Sequence, residues 1–437
     1  MLKQKIKNLK HFLIAVAAYW YYGRPARKLI VVGVTGTKGK STTSKYVASV
    51  LQAGGYKVGL MSTVEFQIGD KRWLNDKKMT MLGMGQIQKM ISEMVEAGCQ
   101  YVVVETSSEG ILQYRHYGLQ YDIAVFTNLG TEHSERHGGF ENLRADKGKL
   151  FSVLKKYSHK ILNGKKIEKI IAVNLDDENA SFYLNFWADK KVGFGLQPKI
   201  NSAITEVSQA NILSSDELGV HFAVADKNYH INLVGDFNVY NALAAIAIGK
   251  TQNISEEKIA HGLKAVTKLE GRMEFINVGQ NFKVVVDYAH EPMSFTGLFT
   301  ALRKITKGRV IAVIGSDGGG RDISKRSKMG EIAGKLCDYI VISDVNCYDE
   351  DPIQIAEMLA QGVRMSGKKD DQDFFIVVDR FKGIQKAFSL AQAGDVVVIT
   401  AKGTEPYIAV ANGEKIPWND RTVATEILEH YVTHKEN

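Results

Sequence analysis

"VVGVTGTKGKSTTSKYV", residues 31–47, joins a short run of β-branched residues to a glycine-rich loop and then to a segment that suits a helix. Backbone N–H groups of such a loop, together with a helix N-terminus, form a concave site for anions. The strict phosphate-loop pattern requires glycine at position 34, which is Val34 here, but Gly36 and Gly39 still bracket the loop. The stretch therefore predicts an α/β domain with a phosphate site.

The residues around the loop suit a bound nucleoside triphosphate. Lys40 adds positive charge, and Ser41 or Thr42 offers a hydroxyl to Mg²⁺. Glu105 ends the apolar run "YVVVE", at the edge where doubly wound sheets bind their ligands, so its carboxylate is predicted to bind the same ion. Without the loop, Glu105 would be assigned to a helix cap or to the surface.

Apolar runs without alternation predict parallel strands that are covered on both faces. They occur at residues 29–34, 101–105 and 122–128, and five more follow residue 271. Between residues 192 and 233 the segments alternate instead, which predicts an antiparallel subsheet. The predicted fold is α/β, with a P-loop central ATPase domain (parallel sheet with antiparallel subsheet) followed by a C-terminal Rossmann-like α/β domain.

Length and composition agree with this division. The 437 residues suffice for two or three domains, and we predict a basic, apolar N-terminal helix over 1–28, a central domain over 29–270 and a C-terminal domain over 271–437. Three widely spaced cysteines predict neither disulfides nor a zinc site, which favours a reducing, cytoplasmic location. The net charge of +8 is spread along the chain beyond its start, so a nucleic-acid partner is not predicted.

The first 28 residues combine four lysines, an apolar and aromatic run from Phe12 to Tyr22, and three further basic residues. Eleven apolar residues are too few for a helix to cross a bilayer. The bulky residues at 19–22 do not resemble a signal-peptide cleavage site. Two alternatives stay open, namely a helix that contacts a membrane peripherally through residues 3–28 or a partner protein, and a helix packed on the body of the protein.

A charged segment after the third strand carries His133 and His137 four residues apart, with Glu132 and Glu135 nearby. This spacing suggests a metal-binding helix, but no zinc-protease pattern accompanies it. On its own the segment would be a solvated loop.

The ordered motifs identify a family. The motifs "GVTGTKGKSTT", "ETSSEGIL", "FTNLGTEHSERH", Lys147 fourteen residues beyond His133, "LVGDFNVYNALAA", "GRME" and "VDYAHEP" resemble those of the Mur ligases in order and approximate spacing. The resemblance implies an ATP-dependent amide ligase of peptidoglycan biosynthesis, in which a substrate carboxylate becomes an acyl phosphate and an amino acid's amine displaces phosphate. Transfer of a phosphoryl group from ATP to a carboxylate brings two anions together, so it depends on clustered positive charge, which the predicted cations supply.

The resemblance also assigns roles to residues. Lys40, His133, Lys147 and Arg272 would be catalytic. Ser41 and Glu105 would hold one Mg²⁺, while His133 and a carbamate on Lys147 would hold a second. The resemblance assigns nucleotide binding to Gly36, Thr37, Lys38, Gly39, Lys40, Ser41, Thr42, Asn128, Asn238, Asn241, Arg272, Asp287 and His290. It assigns substrate binding to Thr80, Ser107, Arg321, Asp344 and Glu405. Because Arg272 and Lys40 belong to different predicted domains, closure of one domain on the other would complete the site.

The chain departs from the family pattern where substrates bind. Only 28 residues precede the loop strand, so we expect the domain that holds the uridine nucleotide in the family to be absent. The Thr-Thr-Pro motif appears as "KKMTMLGMG", and the Asp-Asn-Pro-Arg motif of diaminopimelate-adding members aligns with "SDVNCYDEDP", without its arginine. Without this arginine, which would bind a distal carboxylate in bidentate fashion, diaminopimelate is less favoured than lysine or a related diamino acid as the amine substrate. Asp344 and Glu405 would bind the amine of this substrate, and Arg321 would bind its α-carboxylate.

The carboxylate acceptor stays open. A muramoyl peptide, UDP-linked or lipid-linked, is the leading hypothesis. A ligase for polyglutamate, folate-type or cyanophycin-type products and a catalytically silent partner subunit are the alternatives. A monomer is expected from the family.

Overall fold

The computed structural model describes residues 2–77, 79–130, 137–200, 202–320 and 322–435. Two compact units make up the chain, and each is described separately. The first unit comprises Met1–Ser214, Gly219–Asn232 and Asp236–Thr267, and the second comprises Ser215–Leu218, Leu233–Gly235 and Lys268–Asn437. The predicted division at residues 28 and 270 remains a prediction.

The described residues of the first unit form one large sheet with helices on its faces. The strands of this sheet are β1 (Ile30–Thr35), β2 (Val58–Met61), β3 (Glu65–Ile68), β4 (Lys71–Leu74), β5 (Tyr101–Glu105), β6 (Ile123–Phe126), β9 (Ile170–Asn174), β10 (Lys190–Gly195), β11 (Glu206–Asp216), β12 (Gly219–Val224) and β13 (Lys227–Ile231). β7 (Ile161–Leu162) and β8 (Lys165–Lys166) form a separate hairpin. The helices of the first unit are α1 (Leu2–Tyr21), α2 (Lys40–Ala53), α3 (Met84–Glu96), α4 (Ser108–Leu112), α5 (Phe140–Lys156), α6 (Ala180–Leu184), α7 (Phe237–Thr251) and α8 (Glu256–Lys264), with a 3-10 turn at Pro25–Lys28.

Strand order explains why the loop after β1 is central. Within the described part of the chain the order is β13-β12-β11-β10-β9-β6-β1-β5-β2-β3-β4, and the strands from β10 to β2 run parallel. Because β5 and β6 flank β1, the loops after these three strands emerge at one edge. Buried side chains of the sheet and of α3 and α5 fill one core, including Val31, Ile91, Phe126 and Leu150.

One expectation about strand direction was incomplete. β12 and β13 are antiparallel, as predicted, but β11 pairs in parallel with β10. Apolar and polar residues alternate along Glu206–Asp216 because this strand is partly exposed. Exposure does not determine whether a strand pairs in parallel or antiparallel. A further antiparallel extension, β2-β3-β4, was not predicted.

The second unit is a smaller doubly wound sheet. The described strands of this sheet are β14 (Glu274–Ile276), β15 (Lys283–Val286), β16 (Val310–Ile314), β17 (Tyr339–Ile342), β18 (Phe374–Ile376) and β19 (Val396–Ile399). β20 (Tyr407–Ala409) and β21 (Lys415–Pro417) form a separate antiparallel pair. The helices are α9 (Pro292–Ile305), α10 (Ser324–Leu336), α11 (Pro352–Met365), α12 (Arg380–Leu390) and α13 (Asp420–Lys435), with a 3-10 turn at Ala411–Gly413.

Both faces of the second sheet are covered, as the five apolar runs predict. The order is β14-β15-β19-β16-β17-β18, in which only β14 is antiparallel among the strands described. Phe295, Met329 and Leu359 pack on one face, while Phe388 and Leu428 pack on the other. The loops that follow β15, β16, β17 and β19 therefore share the carboxyl edge of the sheet.

The N-terminal helix lies against the first unit. Ala15, Ala18 and Tyr19 of α1 are buried. Among the helices that the structure describes, none has both the length and the apolar character needed to cross a membrane.

Candidate functional site

The phosphate loop lies between β1 and α2. Gly39 has a φ of +78°, a left-handed conformation that favours glycine, and α2 begins at the next residue, Lys40. A Cβ atom on Gly36 would lie 1.9 Å from the Thr127 hydroxyl oxygen, and one on Gly39 would lie 2.2 Å from Oδ1 of Asn241. Both positions therefore require glycine, which leaves the loop backbone open to an anion.

The loop after β6 holds the phosphate loop in place. The N–H of Thr37 donates to the Asn128 carbonyl over 2.8 Å, and the N–H of Lys38 donates to Oδ1 of Asn128 over 2.8 Å. The Thr127 hydroxyl donates to the Lys38 carbonyl over 2.7 Å, and the N–H of Gly130 donates to the Thr37 hydroxyl oxygen over 2.8 Å. Asn128, predicted to bind the nucleotide, thus has its carboxamide on the loop backbone.

Two ammonium groups lie on the phosphate loop. Nζ of Lys40 donates to the Thr37 carbonyl over 2.8 Å. Lys147 of α5 is 5% exposed, and its Nζ donates to the Gly36 carbonyl over 2.9 Å. Positive charge from two helices therefore lies on neighbouring carbonyls of the loop, where it can attract a polyphosphate.

A hydroxyl and a carboxylate that suit Mg²⁺ lie beside the loop. Ser41, in the first turn of α2, donates to Oε2 of Glu105 over 2.8 Å. Glu105 ends β5 and is 2% exposed, and the parallel register pairs it with Val34 of β1. Thr42 is buried on the same helix. Since Mg²⁺ prefers oxygen ligands of this kind, the side chains of Ser41 and Glu105 fit the ion.

Two threonines extend this cluster. Thr63 follows β2 and donates to Glu105 twice, from its N–H to Oε2 over 2.7 Å and from its hydroxyl to Oε1 over 2.9 Å. The hydroxyl oxygens of Thr63 and Thr80 lie 3.0 Å apart, so Thr80, predicted as a substrate contact, reaches Glu105 through Thr63. Thr63 was not predicted, although its position just beyond a strand end was a signal.

A chain of hydrogen bonds joins the turn after β5 to α5. Ser107, predicted to bind substrate, caps α4 by accepting from the N–H of Gly110 over 3.1 Å. Oγ of Ser108 lies 3.1 Å from Nε2 of His137, and Nδ1 of His137 lies 2.6 Å from Oδ2 of Asp146. This partly buried chain connects the turn after β5, the strand that ends in Glu105, to α5, the helix that carries Lys147. His137 was considered only as part of a possible metal-binding pair with His133, and Ser108 and Asp146 were not predicted.

Helix α7 brings two predicted nucleotide residues to the loop. Oδ1 of Asn241 accepts from the Thr43 hydroxyl over 3.0 Å, and its Nδ2 donates to Oδ1 of Asn238 over 2.9 Å. Both asparagines are buried. The predicted pair therefore lies together, with Asn241 against Gly39.

In the second unit, the predicted nucleotide residues cluster after β15. The Arg272 guanidinium lies 4.4 Å from the centre of the Tyr288 ring. The Asp287 carboxylate accepts from two backbone N–H groups, including that of Met273 over 2.8 Å. Nδ1 of His290 lies 2.7 Å from the Tyr288 carbonyl oxygen. Arg272, Asp287 and His290 thus share one corner of the unit.

The second cluster of this unit surrounds Glu405. Its Oε2 accepts from Nζ of Lys402 over 3.0 Å and from Nδ2 of Asn346 over 3.1 Å. Its Oε1 accepts from the Tyr288 hydroxyl over 3.5 Å, and Asn346 also donates to Oδ1 of Asp317 over 2.7 Å. Glu405, predicted to bind a cationic amine, thus already contacts an ammonium that is fully buried. The sequence analysis missed Lys402, which opens the motif "KGTEPY".

Asp344 follows β17 and is partly buried. Burial raises the pKa of its carboxyl. The Cys347 thiol hydrogen-bonds to it, and burial together with the Asp344 charge raises the pKa of Cys347 to about 11. Asp344 therefore holds its negative charge less readily than an exposed aspartate.

Two predicted residues cannot be placed. His133, predicted to bind a second Mg²⁺, and Arg321, predicted to bind an α-carboxylate, lie outside the described residues. In the part of the chain that the structure describes, no group of three or more His, Cys, Asp or Glu side chains is arranged to hold a metal ion. The fit to Mg²⁺ therefore depends on Ser41 and Glu105.

Two family models match the chain. The model described as "Mur ligase middle domain" matches residues 34–249, and "Mur ligase, glutamate ligase domain" matches residues 271–403.

Individual proteins are similar over most of the chain. A UDP-N-acetylmuramyl-tripeptide synthetase of Roseiflexus sp. is 36% identical over 432 residues, which cover 97% of this chain and 83% of that protein. A UDP-N-acetylmuramoyl-L-alanyl-D-glutamate--2,6-diaminopimelate ligase of Bacillus cereus is 33% identical, with the same shares of 97% and 83%. A solved structure of a ligase with that second name has a TM-score of 0.60 at 27% identity, covering 92% of this chain and 79% of its own.

Proposed function

The chain belongs to the Mur ligase family, and from this premise we propose that it couples an amino acid to the carboxylate of a muramoyl peptide in peptidoglycan biosynthesis. It is an ATP-dependent amide ligase that forms ADP, and ATP and Mg²⁺ are its cofactors. The observation that carries the proposal is the phosphate loop with Ser41 on Glu105 at one end and Lys147 on the Gly36 carbonyl at the other.

The proposed reaction has two steps. The acceptor carboxylate attacks the γ-phosphate of ATP, which gives an acyl phosphate and ADP. The amine of the amino acid then attacks the acyl carbon, and phosphate leaves from the tetrahedral intermediate. Both steps bring anionic or electron-rich groups together, so positioned positive charge is the main contribution expected from the protein.

Residues of the phosphate loop would supply that charge and fix the nucleotide. Lys40 lies over the loop and would bind the phosphates, while Gly36, Thr37, Lys38 and Gly39 would offer backbone N–H groups. We propose Arg272 as a further cation for the transferred phosphoryl group. Its stacking on Tyr288 supports this role, because it orders the guanidinium without neutralising it.

Ser41 and Glu105 would hold one Mg²⁺, which neutralises phosphate charge and orients the phosphoryl oxygens. Thr63 supports the assignment, because its two hydrogen bonds fix the Glu105 carboxylate. A second ion on His133 and on a carbamate of Lys147 is also a proposal. Its support is the buried position of Lys147 beside the loop, where a carbamate would replace a cation by an anion.

Further contacts are proposed for the nucleoside. Asn238 and Asn241 would contact the adenine side, and their support is the hydrogen bond that holds them together beside Gly39. Asp287 and His290 would contact the ribose. Asp287 has two backbone N–H donors, which fix the orientation of its carboxylate.

The incoming amine is proposed to be lysine or a related diamino acid. Glu405 and Asp344 would bind its amino groups, Arg321 would bind its α-carboxylate, and Thr80 and Ser107 would contact the acceptor. The cluster of Glu405, Asn346 and Asp317 supports an amine site, because it places two carboxylates on one carboxamide and carboxylates attract an ammonium.

An amino-acid panel tests the function. The enzyme is incubated with ATP, Mg²⁺ and either the UDP-linked or the lipid-linked muramoyl dipeptide, and ADP release is measured for each amino acid. ADP release that requires both acceptor and lysine supports the proposal. Turnover of a polyglutamate or folate acceptor alone, or no ADP with any acceptor, refutes it. Hydroxylamine added without the amine should trap the acyl phosphate as a hydroxamate.

Two properties of the whole protein are proposed as well. The enzyme acts as a monomer, as the family resemblance suggests, and it contacts a membrane peripherally through residues 3–28. Sedimentation of the pure protein over a range of concentrations tests the first, and a concentration-dependent dimer would contradict it.

A further inference from the structure

The N-terminal helix α1 has an inner face that is fixed to the first unit. The Tyr19 hydroxyl accepts from Nε2 of Gln120 over 2.6 Å. The Phe12 ring packs edge-on against the rings of Tyr114 and Tyr117, with centroids 5.2 and 5.4 Å apart. These contacts set the rotation of the helix about its axis, so the opposite face has a defined direction.

The outer face of α1 is apolar and exposed. Leu13, Ile14, Trp20 and Tyr21 have exposed fractions of 58%, 40%, 60% and 83%. Their helical spacing places them on the side opposite Ala15 and the buried Tyr19. The second half of α1 is apolar all round, and such a helix is usually covered on every side. Among the residues whose burial the structure describes, its outer face is exposed, so this face suits an apolar binding partner.

The charges around the outer face point to the chemistry of that partner. Residues 1–28 contain seven basic residues and no acidic residue. The Arg24 guanidinium lies 4.7 Å from the centre of the Trp20 ring, and Arg27 and Lys28 are exposed in the following turn. Tryptophan and tyrosine flanked by arginine and lysine are typical of the boundary between lipid headgroups and acyl chains.

We propose that this outer face docks in the plane of a membrane that contains anionic phospholipids, with Trp20, Tyr21, Leu13 and Ile14 at the acyl boundary and the basic residues on headgroup phosphates. The inference deepens the peripheral contact proposed above and names its surface and its lipid. A protein partner is disfavoured because it would need a concave apolar surface with matching acidic groups. An anionic bilayer supplies an apolar region and negative charge without shape complementarity.

Vesicle binding tests the surface. The full-length enzyme is sedimented with vesicles of phosphatidylcholine, and separately with vesicles of equal parts phosphatidylcholine and phosphatidylglycerol. We expect binding to the anionic vesicles, weakened by salt. The double variant Leu13→Ser/Trp20→Ser should weaken it by about tenfold or more, because both apolar side chains leave the acyl boundary. Arg27→Gln/Lys28→Gln should weaken binding to anionic vesicles by about tenfold as well.

A matched control separates binding by this face from non-specific binding by exposed apolar side chains. Leu213→Ser/Leu218→Ser removes two aliphatic side chains with exposed fractions of 59% and 72%, and it should not change vesicle binding. ADP release with a water-soluble acceptor should be equal in all variants, so a failure of the ligase proposal would be seen separately. Thermal unfolding should also be unchanged, since the altered side chains are exposed.

Each outcome decides the proposal. Anionic binding that is lost in the outer-face variant and kept in the control supports it. Absence of binding by the wild-type enzyme overturns it, as does binding that the outer-face variant retains. A dimer that disappears in the outer-face variant, without vesicle binding, would instead assign the face to a second copy of the chain.

Discussion

Thr63→Val tests the metal site at one hydroxyl. Valine has nearly the same shape as threonine and keeps the backbone N–H that donates to Oε2 of Glu105 over 2.7 Å. It removes only the hydroxyl, which donates to Oε1 over 2.9 Å and lies 3.0 Å from the Thr80 hydroxyl. The substitution therefore changes the orientation and charge stabilisation of Glu105 without changing a proposed ligand.

The expected magnitude follows from burial. Glu105 is 2% exposed, so water cannot replace the lost donor. A hydrogen bond to a charged group contributes about 1.5–3 kcal/mol, and loss of a partner that orients a metal ligand lowers metal affinity by about 10- to 100-fold. We expect the Mg²⁺ concentration for half-maximal activity to rise at least about tenfold, which corresponds to about 1.4 kcal/mol.

The assay is ADP release at saturating ATP and acceptor over a series of Mg²⁺ concentrations. Thr63→Ser keeps the hydroxyl and should remain close to the wild type, whereas Thr80→Val removes only the outer hydroxyl and should have a smaller effect. Circular dichroism establishes that each variant is folded. An unchanged Mg²⁺ dependence in folded Thr63→Val would refute the assignment of Glu105 as a metal ligand.

Four further predictions follow from single residues. Gly39→Ala should abolish nucleotide binding, measured by calorimetry, because its Cβ would lie 2.2 Å from Oδ1 of Asn241 at a φ of +78°. Lys147→Ala should abolish phosphate release, and added bicarbonate should not restore it. Asp344→Asn should raise the free energy of unfolding at neutral pH, because burial raises the pKa of Asp344 and the folded state favours the protonated form. Burial lowers the pKa of His116 from 6.5 to about 4. The free energy of unfolding should therefore be unaffected by His116 above pH 6.5 and should fall by up to ~3 kcal/mol as the pH drops from 6.5 to about 4.

Different results would contradict each of these. Near-normal calorimetric binding by the alanine variant at position 39 would exclude the loop from the nucleotide site. Near-normal phosphate release by the variant at position 147 would exclude the carbamate. The Asp344 prediction fails if the asparagine variant unfolds at lower urea concentration at neutral pH. His116→Gln should flatten the acid limb of the stability curve, and an unchanged slope would assign that limb to other groups.

The local structure around the loop could be predicted because each element has its own local signal. The run "YVVVE" becomes β5 with the predicted ends, since four apolar residues stop at a charged one. Helix α2 ends before Gly54 and Gly55, as the glycine pair indicates. Both parallel sheets follow from the same signal, an apolar run without alternation.

The contacts between distant segments could not be predicted, because they depend on strand order. Thr63 reaches Glu105 only because β2 and β5 are neighbours, and the sequence does not state which strands are adjacent. The parallel pairing of β11 was missed because alternation of apolar and polar residues indicates a half-exposed strand and not its direction. The partner of Glu405, Lys402, was missed because a lysine in a loop is usually exposed, and tertiary packing buries this one.

The hydrogen bonds of Thr127 and Asn128 to the phosphate loop affect the rate at which a nucleotide associates. The conformational entropy of the loop is lost when the domain folds, because these hydrogen bonds join the loop to residues of the same domain. Nucleotide entry then needs no ordering of these loop residues, and a preorganised site has a smaller entropic cost of binding. We therefore expect the association rate at this loop to follow ionic strength, through the attraction of Lys40 for phosphate, more than solvent viscosity or chain relaxation.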